Sequence, residues 1–442
     1  MSHTNTSLFI YTFNCAKQSQ LPFAANDTFL LHLSNITDSN ASISSILPKD
    51  KPDLLVFNFQ ELLGNLESFY PDKIHDYLMQ LTSHIKRAII EHYQQTSNND
   101  HPVEVSLIGL NYLYALGTLL FSTKPRSSFS NFQKKSVSFG MLNSSLKGCL
   151  LSKLDYENER FIFLNCHLAA NEGMWKERRK NLDILYRTFP ELQPHHSQDI
   201  QQPMLSTSEA QPNQHVFLLG DLNLRCDNYI INKTLENFKY DELALHHTSH
   251  PLIAQLTESK VTFQQSYKYQ VGTESVLNEK RNPSWCDRIL YLKDYESVKV
   301  HKYGSVMSCT SSDHKPVFLQ ITVPERKTSS ESITASAMAQ ELQARHNPYS
   351  DLELQLNTGL TTMADFSIWL VLFVTFSNTG RLFVIGLSLF YLFWNLPPQS
   401  NSSHLSNQIA PKPHKHNPKP TTQEVLSQSP EHIQPNAINW FL

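Results

Sequence analysis

The chain has no excess charge of either sign. Its 37 Lys and Arg stand against 40 Asp and Glu over 442 residues, a formal net charge of −3. Without a bulk basic field there is no electrostatic draw toward nucleic acid, and none is expected as a partner. Cysteine is sparse. Cys15, Cys149, Cys166, Cys226, Cys286 and Cys309 are scattered without a Cys-x-x-Cys pair. That excludes a zinc-ribbon or disulfide scaffold and fits reduced thiols. No G-x-S-x-G elbow offers a serine nucleophile, and no P-loop offers a nucleotide cradle. The opening "MSHTNTSLFIYTFN" lacks a basic segment followed by a long apolar core. No secretory leader is expected, and the folded part is expected to face the cytosol. There is no internal repeat.

What is present is a series of short apolar, β-rich runs up to about residue 323: "SLFIYTFN", "DLLVFNFQ", "RFIFLNCH", "HVFLLGDLN", "CDRILYLK" and "PVFLQITV". Each suits a strand and is too short for most helices. "YPDKIHDYLMQLTSHIKRAIIEHY" has helical periodicity, with Ile74, Leu78, Leu81 and Ile85 on one face. "NEGMWKERRKNLDILYRTF" reads as a second helix. Residues 191–214 are rich in Gln, Ser and Pro and read as a disordered insertion. Residues 324–365 read as a polar linker, 366–396 as an interrupted membrane-like segment, and 397–442 as a disordered tail.

The apolar runs share one peculiarity: each meets a polar group at an edge. "FIYTFN" ends at Asn14, "LLVFNFQE" at Glu61, "FIFLNCH" at His167, and "VFLLGDLN" at Asp221 and Asn223; "SWCD" puts Asp287 before one strand and "SSDH" puts Asp313 and His314 before another. Taken singly, each is an ordinary turn, cap or surface residue. Together they describe converging strand ends, which make rigid platforms for catalytic groups. Carboxylate and amide oxygens suit a hard cation such as Mg²⁺. With two histidines beside them, they point to water attacking a phosphate.

At this point the chain resembles a known family. "FQE" (59–61), "CHLAA" (166–170), "GDLNLR" (220–225), "SYKY" (266–269), "RNPSWCDRIL" (281–290) and "SDHKPV" (312–317) are similar, in order, to the motifs of the inositol polyphosphate 5-phosphatases. The resemblance covers residues 7–323. It implies an α/β chain folded as the four-layer αββα sandwich of the exonuclease–endonuclease–phosphatase superfamily, here with a C-terminal membrane segment and a catalytic domain over 1–323. It implies that Glu61 holds Mg²⁺ with Asn14 beside it and Asp313 nearby. Asp221 then positions the attacking water, Asn223 and His167 bind the scissile phosphate, and Asp287 orients His314. Tyr267, Lys268 and Arg281 match positions that grip a neighbouring 4-phosphate, and Lys147 one that approaches the 1-phosphate. Met141 and Leu142 lie in a loop resembling one that touches lipid. Arg225 is read as a structural pairing residue. Cys166 stands where the family usually has Ser or Thr, and "LKGC" replaces its usual "NKGG".

The segment 366–396 has one charge, Arg381, near its middle. As one helix it would measure roughly 46 Å at about 1.5 Å per residue, longer than a hydrocarbon core of about 30 Å. Two arrangements fit: a tilted single span, which is preferred, and a re-entrant hairpin turning at "SNTGR". A late anchor of this kind, as in anchored fungal-type members of the family, implies the endoplasmic reticulum membrane with the catalytic domain in the cytosol. The expected activity is hydrolysis of the 5-phosphate of phosphatidylinositol 4,5-bisphosphate at a membrane surface. The expected partners are that lipid and the membrane, with no obligate protein partner evident. The alternatives are a metal-dependent nuclease of the same fold and an inactive lipid-binding tether.

Overall fold

The computed structural model describes residues 5–17, 45–96, 102–157, 159–192, 213–226, 235–247, 249–278, 280–293, 298–324 and 348–394. They fall into two compact units, 1–386 and 387–442. The first carries two six-stranded sheets. Its strands are β1 (Thr6–Asn14), β2 (Leu54–Gln60), β3 (Ser106–Leu113), β4 (Leu116–Ser122), β5 (Phe129–Ser138), β6 (Gly148–Tyr156), β7 (Glu159–His167), β8 (Asn213–Asp221), β9 (Leu256–Glu258), β10 (Asp287–Leu292), β11 (Lys299–Ser305) and β12 (Val317–Val323). The first sheet runs β11-β12-β1-β2-β4-β3 and the second β5-β6-β7-β8-β10-β9.

Period-2 alternation assigns each strand residue to a face. Leu8 and Ile10 of β1, Leu54 and Val56 of β2, Phe161 and Phe163 of β7, and Phe217 and Leu219 of β8 share one core between the sheets. The intervening residues point outward. Phe9, Tyr11, Leu55 and Phe57 pack on α1 (Pro71–Thr96) through Ile74, Leu78, Leu81 and Ile85, the face that the periodicity predicts. On the other side, Ile162, Leu164, Val216 and Leu218 join Leu182 and Leu185 of α2 (Trp175–Thr188) in a third core. Helix, sheet, sheet, helix gives the four layers expected from the sequence.

The inner face changes character along each strand. After Leu8 and Ile10 come Thr12 and Asn14; after Leu54 and Val56 come Asn58 and Gln60; after Phe161 and Phe163 come Asn165 and His167. All six polar residues are buried. Burying such groups is tolerable only with partners. Asn165 supplies them: its Oδ1 accepts from Gln60 Nε2 at 2.7 Å, and its Nδ2 reaches the Gly117 carbonyl at 2.9 Å and Thr118 Oγ1 at 3.2 Å. Thr118 in turn donates to Asn58 Oδ1 at 3.0 Å.

Beyond the sheets, one expectation meets a different structure and two fall outside the described residues. The insertion expected at 191–214 lies outside the described residues from 193 to 212. The polar stretch 324–365 is not linker to its end. Helix α3 (Asp351–Phe376) begins inside it, closed by a capping box in which Ser350 and Glu353 satisfy each other's backbone. The expected membrane segment is therefore interrupted: α3 ends at Phe376, Ser377 is extended, and α4 (Asn378–Trp394) follows. The expected tail at 397–442 lies outside the described residues.

Asn165→Ala strips the inter-sheet network of its hub. At about 1–3 kcal/mol for each buried group left without a partner, the variant is expected to lose about 2–4 kcal/mol of folding free energy. Urea unfolding followed by tryptophan fluorescence measures this, and a loss below about 0.5 kcal/mol would remove the network from the account.

Candidate active site

Strand register assembles the site. In the second sheet, β7 and β8 run parallel with His167 opposite Asp221, and β10 runs antiparallel to β8 with Asp287 opposite Asp221. Three neighbouring strands thus place His, Asp and Asp in one row at one edge of the sheet. Gly220 permits this: its φ is +122°, and a Cβ there would lie 2.1 Å from the Cys166 carbonyl oxygen. In the first sheet, Asn14 of β1 pairs with Gln60 of β2, which puts Glu61 just beyond it. One bond joins the two rows: Asn14 Nδ2 donates to Asp221 Oδ2 at 2.9 Å.

His167 Nε2 sits 3.2 Å from Asp221 Oδ2 and 3.6 Å from Glu61 Oε1, with Lys147 Nζ hydrogen-bonded to the same nitrogen. His314 Nδ1 bonds Asp287 Oδ2 at 2.8 Å, and its ring lies 4.5 Å from that of Tyr267. Ser312 Oγ accepts from the His314 backbone N–H at 3.0 Å and donates to the Asn14 carbonyl at 2.7 Å. Ser266 Oγ accepts from the Asp287 N–H at 3.1 Å. These two buried serines carry no expected role from the sequence. Their signal was local: Ser312 lies two residues before His314, the spacing of a hydroxyl that fixes a turn.

The electrostatics sort the groups by charge. Burial pushes the Glu61 carboxyl up, but His167, Lys147 and Lys17 prevail and hold it down at about 2. Burial likewise opposes ionisation of Asp221, and His314, His167 and Lys147 outweigh it, holding that carboxyl well below its usual range. Burial depresses His167, helped by Lys147, so its imidazole is neutral at pH 7. Burial also works against the His314 imidazolium, yet Asp287 and then Asp221 raise it to about 9. Two carboxylates, a neutral imidazole and an imidazolium therefore face one another.

Two groups of residues could hold a cation. Asp221, Asp287 and His314 offer ligand atoms within 4.8 Å of one another. In that trio His314 Nδ1 is already engaged with Asp287 Oδ2 at 2.8 Å. Glu61, ionised and with a quarter of its side chain exposed, stands beside Asn14 and Asp221. Those oxygen donors fit a hard divalent ion.

Three expected residues sit differently. Asp313, expected near the metal, pairs with Lys268 at 2.9 Å because its carboxylate points to the loop cation. Lys147, expected at a remote phosphate, has its ammonium against His167, held by the attraction of Glu61 and Asp221. Arg281, expected on a neighbouring phosphate, bonds Glu172 at 2.9 Å. Asn223 donates to the Leu168 carbonyl at 3.1 Å and accepts from Arg225, whose guanidinium lies 4.6 Å from the Tyr267 ring centre. Arg225 is thus a structural partner of Asn223.

Comparison with known proteins places this geometry. Residues 11–320 match the model of the Endonuclease/Exonuclease/phosphatase family 2. A type II inositol 1,4,5-trisphosphate 5-phosphatase of Mus musculus is 27% identical over 284 residues, 60% of this chain and 26% of that protein. A phosphatidylinositol 3,4,5-trisphosphate 5-phosphatase 2 of Homo sapiens is 28% identical over 229 residues, 45% of this chain and 17% of that one. The match thus spans about a quarter or less of these relatives. Among solved structures, the inositol polyphosphate 5-phosphatase domain of SpSynaptojanin, in complex with inositol (1,4)-bisphosphate and a calcium ion, shares the fold. Its TM-score is 0.54 at 22% identity, covering 78% of this chain and 91% of that one.

Asp287→Asn removes the main charge that raises His314. The imidazolium's contribution to folding is complete below its unfolded pKa of about 6.5 and is lost as pH rises through about 9. In the variant that upper boundary is expected to fall by at least one unit. NMR titration of the His314 ring checks this, and an unmoved midpoint would detach the two residues.

Proposed function

The chain belongs to the Endonuclease/Exonuclease/phosphatase family 2, and on that premise we propose that it is a metal-dependent phosphoinositide 5-phosphatase. In this reading it converts phosphatidylinositol 4,5-bisphosphate to phosphatidylinositol 4-phosphate and phosphate. The observation that carries the reading is the charged Asp221, held between Asn14, His167 and the Asp287–His314 pair. The 5-phosphatases among its relatives supply the substrate class.

Each residue has a task in that reaction. Asp221, ionised at neutral pH, orients a water and accepts its proton as the water attacks phosphorus. Neutral His167 and the Asn223 amide hold phosphoryl oxygens by hydrogen bonds. The His314 imidazolium, kept charged by Asp287, faces the negative charge that develops on the phosphoryl group. Glu61 and Asn14 would hold Mg²⁺, whose chemistry is to neutralise phosphate oxygens. A phosphate beside the scissile one would draw Lys268 and Arg281 from the carboxylates of Asp313 and Glu172. Dianionic phosphate competes well for such cations because it accepts charge-assisted bonds from both.

The helix α3 is the one described helix long and apolar enough to cross a membrane. We read it with α4 as the anchor that holds the catalytic unit on the cytosolic face of the endoplasmic reticulum membrane.

Phosphate release from a panel of phosphoinositides, with Mg²⁺ and with chelator, tests the reading. Release from the 4,5-bisphosphate, abolished by chelator, is expected; release only from nucleic acid would replace it with a nuclease. Asp221→Asn is expected to lower turnover about 10²–10⁴-fold, the usual range for a lost acid–base group, with folding retained. Lys268→Ala is expected to lower kcat/KM about 10–100-fold on the 4,5-bisphosphate, from roughly 1.5–3 kcal/mol for a charge-assisted contact. A lipid with no 4-phosphate should be far less affected, and equal losses on both would assign Lys268 to the fold.

A further inference from the structure

Helix α3 does not leave the catalytic unit as a free stalk. Its side chains at 361, 364, 365, 368, 369 and 372 are buried or half-buried, at the spacing of one helix face, while Phe366, Leu370 and Val371 are exposed. That face lies on the turn between β5 and β6. Asp365 accepts from the Ser145 backbone N–H at 2.7 Å and from Ser145 Oγ at 2.6 Å, and Thr361 Oγ1 donates to the Asn143 carbonyl at 2.8 Å. One helical turn on, Trp369 Nε1 donates to Tyr70 OH at 3.1 Å, at the entrance to α1. Four polar bonds therefore clamp the helix where its apolar half begins.

The clamped turn is stiff and has two ends of different character. A Cβ at Gly140 would lie 2.6 Å from both the carbonyl and the hydroxyl oxygen of Ser144, so the turn closes tightly on itself. Its tip carries Met141 and Leu142, 49% and 77% exposed. Its other end runs through Ser145 to Lys147, whose ammonium is at His167 in the active site. Large exposed apolar residues on a tight turn call for a cover. The apolar half of a helix that begins beside them says which cover fits: a lipid surface that would also receive Phe366 and Leu370. A carboxylate at such a level is costly unless it is partnered, and Ser145 partners Asp365 twice.

We propose that α3 is an orienting strut: by gripping the 140–147 turn through Asp365 and Thr361, it sets Met141 and Leu142 into the same bilayer surface as its own apolar half. The active site is then held facing the lipid. This rests on the membrane reading of α3 given above and adds to it a geometric constraint that a flexible tether lacks. A flexibly tethered domain would sample all orientations over the membrane, most of them unproductive; a clamped one spends its time in the productive orientation.

The test uses the full chain in phosphoinositide-containing vesicles. All six native cysteines are buried, so Leu142→Cys accepts a nitroxide selectively. Its collision rate with lipid-dissolved oxygen, against a water-soluble nickel chelate, reports immersion without reference to activity. The label is expected to be immersed in the otherwise native protein and water-exposed when Asp365→Ala and Thr361→Val are added. Asp365→Asn, which keeps one acceptor, is expected to retain part of the immersion. In parallel, Asp365→Ala is expected to lower turnover of the bilayer lipid about tenfold. Hydrolysis of a water-soluble inositol phosphate should stay within twofold, which also reports intact folding. A water-exposed label in the native background, unchanged immersion in the double variant, or equal loss on both substrates would each overturn the proposal. A native protein that immerses the label yet hydrolyses no phosphoinositide would instead refute the enzymatic reading alone.

Discussion

Everything at this site depends on how two sheets meet. Their facing surfaces are apolar over most of their length, as Leu8, Ile10, Leu54, Val56, Phe161 and Phe163 show. At one end the same faces turn polar, and polar groups cannot be pressed together without satisfying one another. Asn165 resolves most of that end by bonding Gln60, Thr118 and two backbone carbonyls. Asn14 resolves the last step by bonding Asp221 across the gap. Such bonds are directional, whereas apolar packing is not. The polar end therefore sets which residue of one sheet stands over which residue of the other. The reactive groups are the outermost members of the network that aligns the layers.

Charge balance follows from the same crowding. Glu61, Asp221 and Asp287 converge in a buried space, and three carboxylates alone would drive protons on. Lys17, Lys147 and His314 offset them. Glu61 and Asp221 stay ionised as a result, while His167, with a lysine against its ring nitrogen, stays neutral. The two histidines thereby take opposite charge states: burial works against both imidazoliums, the Lys147 ammonium adds to it at His167, and Asp287 with Asp221 outweighs it at His314. The environments, rather than the residue types, divide the work between them.

How much of this was legible follows from the range of each interaction. β1, β2, β7, β8, β10 and β12 were visible because each is a mainly apolar run with a polar group at or next to one end. β5 was not, since "FSNFQKKSVS" is a half-exposed edge strand that looks like loop. β6 was hidden by Ser152, Lys153 and Asp155 within a buried strand. Asn14, Glu61, His167, Asp221, Asp287 and His314 could be picked out by position and motif and do converge. The partners of the loop residues could not be read. Lys268 meets Asp313 and Arg281 meets Glu172 across 45 and 109 positions, and only folding decides such pairings. The placement of Lys147 at His167 was missed for the same reason.

The C-terminal helix shows a subtler limit. Its first half, "DLELQLNTGLTTMAD", is polar enough to pass for linker, and composition alone places it there. The capping signal Ser350-x-x-Glu353 marked the true helix start some fifteen residues before the apolar run. The start position matters for more than bookkeeping of elements. A linker ending at 365 would leave the catalytic unit free to turn, whereas a helix continuous from 351 to 376 transmits the orientation of its apolar half rigidly to the residues that grip the Asn143–Ser145 turn. Polar residues ahead of an apolar segment can thus belong to a docking face, and the test for it is whether their spacing is helical: Thr361, Asp365 and Trp369 recur every four residues.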